Sequence, residues 1–102
     1  MAVIEITSEN FEEKVLNSPT TVLLDFWASW CMPCRMLSPI IDEVAEEKPE
    51  LTVGKINVDD EPELADRYGI MSIPTLIVIE NGEVKTKAVG GRDKEDILEM
   101  LE

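Results

Sequence analysis

Two cysteines, Cys31 and Cys34, are the residues of this 102-residue chain whose type and spacing are best suited to chemistry. An extracellular domain held together by disulfides usually carries more cysteines, spread far apart in the sequence. Tetrahedral zinc requires four ligands, and the chain has no histidine to complete a two-cysteine site. A lone Cys-x-x-Cys pair is instead typical of a dithiol that closes to a disulfide and reopens. The spacing therefore favours redox chemistry over a structural cysteine pair or half of a metal site.

The position of the cysteine pair between two elements supports the same chemistry. Val22–Trp27 is an almost unbroken apolar run, which is typical of a central strand covered on both faces. Residues from about 34 to 48 follow a helical period, so the pair lies where a strand ends and a helix begins. Free N–H groups at a helix N-terminus stabilise an anion, which predicts a lowered pKa for the Cys31 thiol. Cys31 would attack a substrate disulfide, and the more buried Cys34 would resolve the mixed disulfide.

Charge and composition exclude several other classes of function. The 22 acidic residues outnumber the 9 basic ones, and the resulting charge of −13 repels nucleic acid and anionic lipid. The absence of histidine excludes histidine-based acid–base catalysis and cysteine–histidine proteases. No apolar run approaches the ~20 residues of a membrane-spanning helix, and the N-terminal segment lacks the pattern of a signal peptide. We therefore expect a single cytoplasmic domain over residues 1–102, a monomer that binds neither nucleic acid nor membrane.

The alternation of apolar and polar segments predicts the element order β-α-β-α-β-α-β-β-α. Crossover helices make the early strand pairings partly parallel, whereas Asn81-Gly82 predicts an antiparallel hairpin between the last two strands. We expect Thr7 or Ser8 to cap the first helix. Asp60 and Glu63 predict a carboxylate-capped start of the third helix. A mixed sheet with helices on both faces follows, and its predicted strands are Val3–Ile6, Val22–Trp27, Leu51–Val58, Pro74–Glu80 and Glu83–Val89.

Three segments of the chain are specific when they occur together in this order: Trp27-Ala-Ser-Trp30-Cys31-Met-Pro-Cys34-Arg, Tyr68-Gly69-Ile-Met-Ser-Ile73-Pro74-Thr75 and Asn81-Gly82-Glu83. They resemble the thioredoxin family, and the likeness extends essentially from end to end. The resemblance implies an α/β thioredoxin fold with a central mixed five-stranded sheet flanked by four helices. It also implies a protein-disulfide reductase that binds no cofactor of its own and reduces oxidised protein substrates. A thioredoxin reductase, which takes electrons from NADPH or from ferredoxin, would recycle it.

Asp25 stands in the middle of an apolar strand, where the pattern alone leaves two interpretations open. The carboxylate lies either on the surface face of an edge strand or in the interior, where desolvation raises its pKa. The resemblance implies the interior position, in which Asp25 takes the proton from Cys34 as that thiol becomes the nucleophile. Lys55 matches a lysine that lies nearby in the family, although by itself it would be an ordinary lysine of an edge strand.

The resemblance implies further positions around the cysteines. The peptide bond before Pro74 is expected to be cis, although most X–Pro bonds are trans. Ile73 is expected to keep unpaired backbone groups, to which an extended substrate can bind as an added strand. An apolar collar is expected around Cys31, whereas Trp27 and Val58 are expected in the core. The collar comprises Trp30, Met32, Pro33, Ile73, Pro74, Val89 and Gly90.

One departure from the family concerns the two residues between the cysteines. They are Met32-Pro33 here, whereas thioredoxins usually have Gly-Pro. We hypothesise that the flexible apolar side chain of Met32 enlarges the docking surface and changes which reductase or substrate fits.

Two other classes of function stay open on the sequence alone. One is a non-catalytic binding module that uses the collar to hold a partner. The other is a metal or iron–sulfur protein in which Cys-x-x-Cys bridges two chains.

Overall fold

The computed structural model describes residues 3–102, in which five strands form one mixed sheet. The strands are β1 (Val3–Glu5), β2 (Val22–Trp27), β3 (Thr52–Asn57), β4 (Thr75–Glu80) and β5 (Glu83–Val89). The helical segments are a π-helical segment (Glu12–Leu16), α1 (Met32–Glu47), α2 (Pro62–Arg67) and α3 (Lys94–Met100). The order across the sheet is β1-β3-β2-β4-β5, with parallel pairing among the first three and antiparallel pairing of β4 with β2 and β5. The predicted fold class and element order are confirmed.

The central strand β2 is buried along almost its whole length because helices cover both faces of the sheet. On one face, Leu24 and Phe26 pack with residues of the π-helical segment and α2. On the opposite face, Leu23 packs with residues of α1 and α3. Side chains alternate between faces along a strand, so Asp25 shares its face with Leu23 and lies under α1.

The hairpin between β4 and β5 turns at Asn81-Gly82, as the sequence predicts. The two residues have φ angles of 54° and 80°, which is the left-handed geometry of the favoured two-residue hairpin turn. At the far end of β5, the Gly90 N–H donates to the Pro74 carbonyl at 2.8 Å. This bond fastens the chain after Val89 next to the start of β4, where Gly91 comes to share a groove with residues of α1.

The first helical segment begins later than expected. Thr7 Oγ1 accepts the Glu9 N–H at 3.3 Å, and Asn10 Oδ1 accepts the Thr7 N–H at 2.8 Å. These bonds close a turn before the helical segment, which starts at Glu12 and has no side-chain cap at Phe11. The prediction that Thr7 or Ser8 caps a helix was therefore wrong, because the hydroxyl closes a local turn instead.

The start of α2 also differs from the prediction. The helix begins at Pro62, and the preceding residue, Glu61, makes no side-chain cap. Proline at the first helical position has no N–H to satisfy and already has a helical φ, so a carboxylate cap is less needed there. The Glu61 carboxylate instead accepts the Ser8 N–H at 3.1 Å. The predicted carboxylate cap at Asp60 and Glu63 was wrong.

Candidate active site

Cys31 and Cys34 form a disulfide at the N-terminus of α1, with their Cα atoms 5.3 Å apart. Cys31 immediately precedes the first turn, and its Sγ accepts a hydrogen bond from the Cys34 N–H at 3.2 Å. Pro33 lies in that first turn, where its missing N–H leaves no donor unpaired. The helix N-terminus thus directs a backbone donor and the positive end of its dipole at the outer sulfur. Once the disulfide is reduced, this arrangement favours the thiolate form of Cys31.

Both cysteines are almost covered in the disulfide form. Cys31 is 5% exposed and Cys34 is 2% exposed, so Cys31 is the outer residue by a small margin. Trp27, Val58 and Ile73 are partly buried side chains that pack against the two cysteines. Trp27 and Val58, which we expected in the core, thus lie partly buried beside the site, and Val58 also packs against the core on one face of the sheet. A partner can therefore contact only a small exposed part of Cys31.

The Ile73–Pro74 peptide bond is cis, as expected, and Ile73 packs against the disulfide. Pro74 itself is buried rather than exposed in the collar, and its carbonyl accepts a hydrogen bond from the Gly90 N–H. Strand β4 begins only at Thr75. Within residues 3–102, the backbone N–H and carbonyl of Ile73 have no hydrogen-bond partner.

Asp25 is fully buried, which decides between the two interpretations that the sequence left open. Neither of its carboxylate oxygens has a hydrogen-bond partner in the described part of the chain. Loss of hydration raises the pKa of Asp25 from 3.8 to about 6, and the positive charge of Lys55 offsets part of that increase. The ionised carboxylate is therefore a stronger base than a surface aspartate and can accept a proton near neutral pH.

Lys55 is the register partner of Asp25 in the pairing of β3 with β2, yet its amino group is bound elsewhere. Lys55 Nζ donates to Ser38 Oγ at 2.9 Å and lies 4.8 Å from the centre of the Trp27 ring. Ser38 and Trp27 therefore hold the ammonium group near the carboxylate without a hydrogen bond to it. Sequence reasoning missed Ser38, because the contact joins a helix to a strand 17 residues away and leaves no local signal.

Several of the residues assigned to the collar are exposed apolar side chains. Trp30, Met32 and Val89 are 70%, 61% and 52% exposed, which is unusual for large apolar side chains. The Trp30 ring is held in place by a hydrogen bond from its Nε1 to Asp59 Oδ2 at 2.8 Å. Asp59 was not anticipated, because it lies 29 residues from Trp30 and follows a different strand. Pro33 is also exposed, whereas Gly90 is only partly exposed.

Two grooves extend the collar on either side. The groove beside α1 has a volume of about 240 Å³. The second has a volume of about 390 Å³ and lies beside the segment 70–73. The first is lined by Pro33, Met36, Leu37, Ile40, Gly91 and Arg92, and the second by Trp30, Val58, Ala65, Ile70, Met71, Ser72 and Ile73.

Met36 and Met71 belong to this surface, although the sequence analysis did not assign them to it. Met36 lies on α1 next to Leu37, but the buried face of the helix contains Leu37 and Ile41, and Met36 is 71% exposed. Met71 is 97% exposed in the loop before Ile73. The sequence could have predicted the exposure of Met71, because this residue lies in a short loop two positions before Ile73 of the expected collar.

Comparison with known proteins decides which family has this arrangement. The family model described as "Thioredoxin" matches residues 2–102. The chain belongs to the thioredoxin family. The thioredoxin of Rickettsia bellii is 46% identical over 97 residues, which cover 94% of this chain and 92% of the relative. The thioredoxin of Buchnera aphidicola is 46% identical over 101 residues (98% and 94%), and that of Pyropia yezoensis is 45% identical over 102 residues (99% and 95%).

As a member of the thioredoxin family, the chain is a thiol–disulfide oxidoreductase whose redox-active pair is Cys31–Cys34. Family membership and the closed disulfide favour this activity over a non-catalytic binding module. Residues 3–102 bring no three histidine, cysteine, aspartate or glutamate side chains together as a metal site would require. In the same part of the chain, none of the helices combines the length and the apolarity needed to cross a membrane.

Proposed function

We propose that this thioredoxin-family chain is a cytoplasmic, monomeric electron carrier that reduces disulfides of oxidised protein substrates. A thioredoxin reductase, linked to NADPH or to ferredoxin, returns it to the dithiol form. The observation that carries the proposal is the hydrogen bond from the Cys34 N–H to Cys31 Sγ at the head of α1. This bond favours a thiolate at the outer position, and the thiolate is the form that attacks a disulfide.

The reaction transfers two electrons in two exchange steps. The Cys31 thiolate attacks one sulfur of the substrate disulfide, the substrate S–S bond breaks, and the first substrate sulfur leaves as a thiolate. Cys34 then loses its proton and attacks Cys31 Sγ, which releases the second substrate sulfur and closes the Cys31–Cys34 disulfide. The substrate is reduced to two thiols, and the carrier is oxidised to the state that the structure describes.

Asp25 is proposed to accept the proton of Cys34 in the second step. The carboxylate lies on the face of β2 that α1 covers, and Cys34 is a buried residue of α1. Because no hydrogen bond stabilises the ionised carboxylate, it gains more from protonation than a hydrated aspartate does. Lys55 is proposed to keep Asp25 ionised at rest, from the position in which Ser38 and Trp27 hold it.

Substrate contact is proposed to combine backbone and side-chain recognition. The unpaired backbone groups of Ile73 can pair with an extended substrate segment, as in the addition of a strand to a sheet. The exposed apolar side chains of the collar, Trp30, Met32 and Val89 among them, can pack against residues that flank the substrate disulfide. Such contacts place the disulfide over Cys31.

Two valines of β5 offer a matched test of this function. Val89 lies in the collar and is 52% exposed, whereas Val84 lies outside it and is 50% exposed. With NADPH and a thioredoxin reductase as electron source, we expect the chain to reduce insulin catalytically. Val89→Ala should lower kcat/KM for insulin about fivefold, because the loss of its methyl groups removes about 1 kcal/mol of apolar contact. Val84→Ala should leave kcat/KM unchanged.

Two results would contradict the proposal. If a preparation with an intact dithiol reduced no insulin with either class of reductase, the assignment as a carrier of electrons to proteins would be wrong. If Val84→Ala and Val89→Ala reduced kcat/KM equally, the collar would not be the docking surface.

A further inference from the structure

Within the described part of the chain, the exposed methionines are concentrated around the redox-active disulfide. In residues 3–102, Met32, Met36 and Met71 are 61%, 71% and 97% exposed. Met100 is partly buried and packs against the core between α1, α3 and the sheet. Met32 lies between the two cysteines, and the other two each line one of the grooves that extend the collar. Among the methionines that the structure describes, the most exposed ones thus lie at the surface proposed to bind substrates.

We propose that Met32, Met36 and Met71 are sites of sulfoxidation by peroxide, and that their oxidation weakens docking of protein substrates without impairing the Cys31–Cys34 pair. The inference rests on the proposed role of the collar in substrate contact. It extends that role, because it makes docking, and not only the dithiol, responsive to oxidants.

The modification is a balanced two-electron reaction with hydrogen peroxide. A lone pair of the methionine sulfur attacks one peroxide oxygen, the O–O bond breaks, and a sulfoxide forms. The second oxygen leaves as water. The sulfur is oxidised by two electrons, the peroxide is reduced by two, and no other reactant is required.

The disulfide form favours reaction at methionine. Both cysteine sulfurs are then joined to each other, so neither is a thiolate that competes for peroxide. Methionine oxidation follows exposure, and Met32, Met36 and Met71 are far more exposed than Met100. The disulfide form also accumulates when oxidised substrates consume electrons faster than the reductase supplies them. The surface would therefore be modified under the conditions in which peroxide is abundant.

The expected consequence follows from the polarity of the product. A methionine side chain is flexible and apolar and adapts to different partners, whereas a sulfoxide is polar and strongly hydrated. Docking of an apolar substrate residue into either groove would then remove water from the sulfoxide oxygen without replacing its hydrogen bonds. A small disulfide that reaches Cys31 without touching the grooves would not meet this cost.

Treatment of the disulfide form with hydrogen peroxide tests the inference. After removal of the peroxide, peptide mass spectrometry should find one added oxygen at Met32, Met36 and Met71 before any at Met100. Dithiothreitol then restores the dithiol and leaves the sulfoxides in place. The rate constant for reduction of insulin should fall roughly tenfold, a change that corresponds to about 1.4 kcal/mol of docking free energy. The rate constant for 5,5′-dithiobis(2-nitrobenzoate), a small aromatic disulfide, should not change.

The triple variant Met32→Leu, Met36→Leu, Met71→Leu is the matched control, because leucine keeps the apolar surface and cannot be oxidised. Whatever its untreated rate, peroxide should leave its insulin rate unchanged. Three results would overturn the inference: an equal peroxide effect in the triple variant, an unchanged insulin rate with all three sulfoxides present, or an equal loss with the small disulfide. In each of these, the untreated chain still reduces insulin, so the proposed function stands; an untreated chain that does not reduce insulin contradicts that function instead.

Discussion

Cys34→Ser is expected to remain covalently joined to its substrates through Cys31. The outer thiolate still attacks a substrate disulfide, but the serine hydroxyl cannot perform the second exchange, so the mixed disulfide persists. Catalytic reduction of insulin should fall to the rate of the uncatalysed reaction. Non-reducing electrophoresis of Cys34→Ser after incubation with an oxidised protein should reveal a disulfide-linked complex of the two proteins. Dithiothreitol should reduce the disulfide and separate them.

Cys31→Ser is the control for this experiment. Its remaining thiol, Cys34, is 2% exposed and is the inner residue of the pair, so it should trap nothing and reduce nothing. Mass spectrometry of the trapped species should locate the link at Cys31. A link at Cys34 in the Cys31→Ser variant, at a rate comparable to that of Cys34→Ser, would reverse the two roles.

Asp25→Asn is expected to stabilise the fold while it slows the reaction. Folding raises the pKa of Asp25 from 3.8 to about 6, so the unfolded chain releases this proton at lower pH than the folded chain does. The free energy of unfolding therefore declines as pH rises from 3.8 to about 6, and it stays lower above that range. At about 1.36 kcal/mol per pH unit, the decline is roughly 3 kcal/mol. Asn cannot ionise and should recover most of it at pH 8.

Denaturant unfolding of Asp25→Asn and its parent at several pH values measures this effect. The stability difference between the two should be small at pH 4 and should grow to its full size above about pH 6. Asp42→Asn, the same substitution at an exposed position of α1, is the matched control and should change stability little at any pH. A difference between Asp25→Asn and the parent that does not depend on pH would contradict a raised pKa for Asp25.

The kinetic half of the prediction concerns the second exchange step. Without its base, Asp25→Asn should resolve a preformed mixed disulfide roughly a hundredfold more slowly at pH 8, at the low end of typical general-base effects. Lys55→Met should raise the pKa of Asp25, because the positive charge of Lys55 lowers that pKa. In Lys55→Met, the rate of the second exchange step should therefore reach half its maximum at a higher pH than in the parent. Equal rates of resolution in Asp25→Asn and the parent at pH 8 would assign the proton to another acceptor.

The elements and the cysteine pair were predictable because their signals are local. The almost unbroken apolar run of β2 predicts a strand covered on both faces, and Asn81-Gly82 favours a tight two-residue hairpin. The N-terminal position of Cys31 on α1 follows from the change of period after Trp27. Asp25 was different. In a strand that is apolar on both faces, alternation does not distinguish an interior from a surface position, and only the resemblance to a family favoured burial.

The remaining parts of the site arise from contacts between elements that are distant in the chain. The bond between Lys55 and Ser38 and the bond between Trp30 and Asp59 depend on how helices and loops pack on the sheet, which no local pattern records. Met36 shows that neighbouring residues of a helix can differ completely in burial. It is adjacent to the buried Leu37, yet it points into a groove on the surface.

The N-terminus of α1 is expected to hold the outer sulfur as a thiolate. The rate of alkylation of reduced Cys31 by iodoacetamide as a function of pH tests this, with the modified residue located by mass spectrometry. We expect a half-maximal rate well below pH ~8.5, the value for free cysteine. A midpoint at or above that of free cysteine would contradict it.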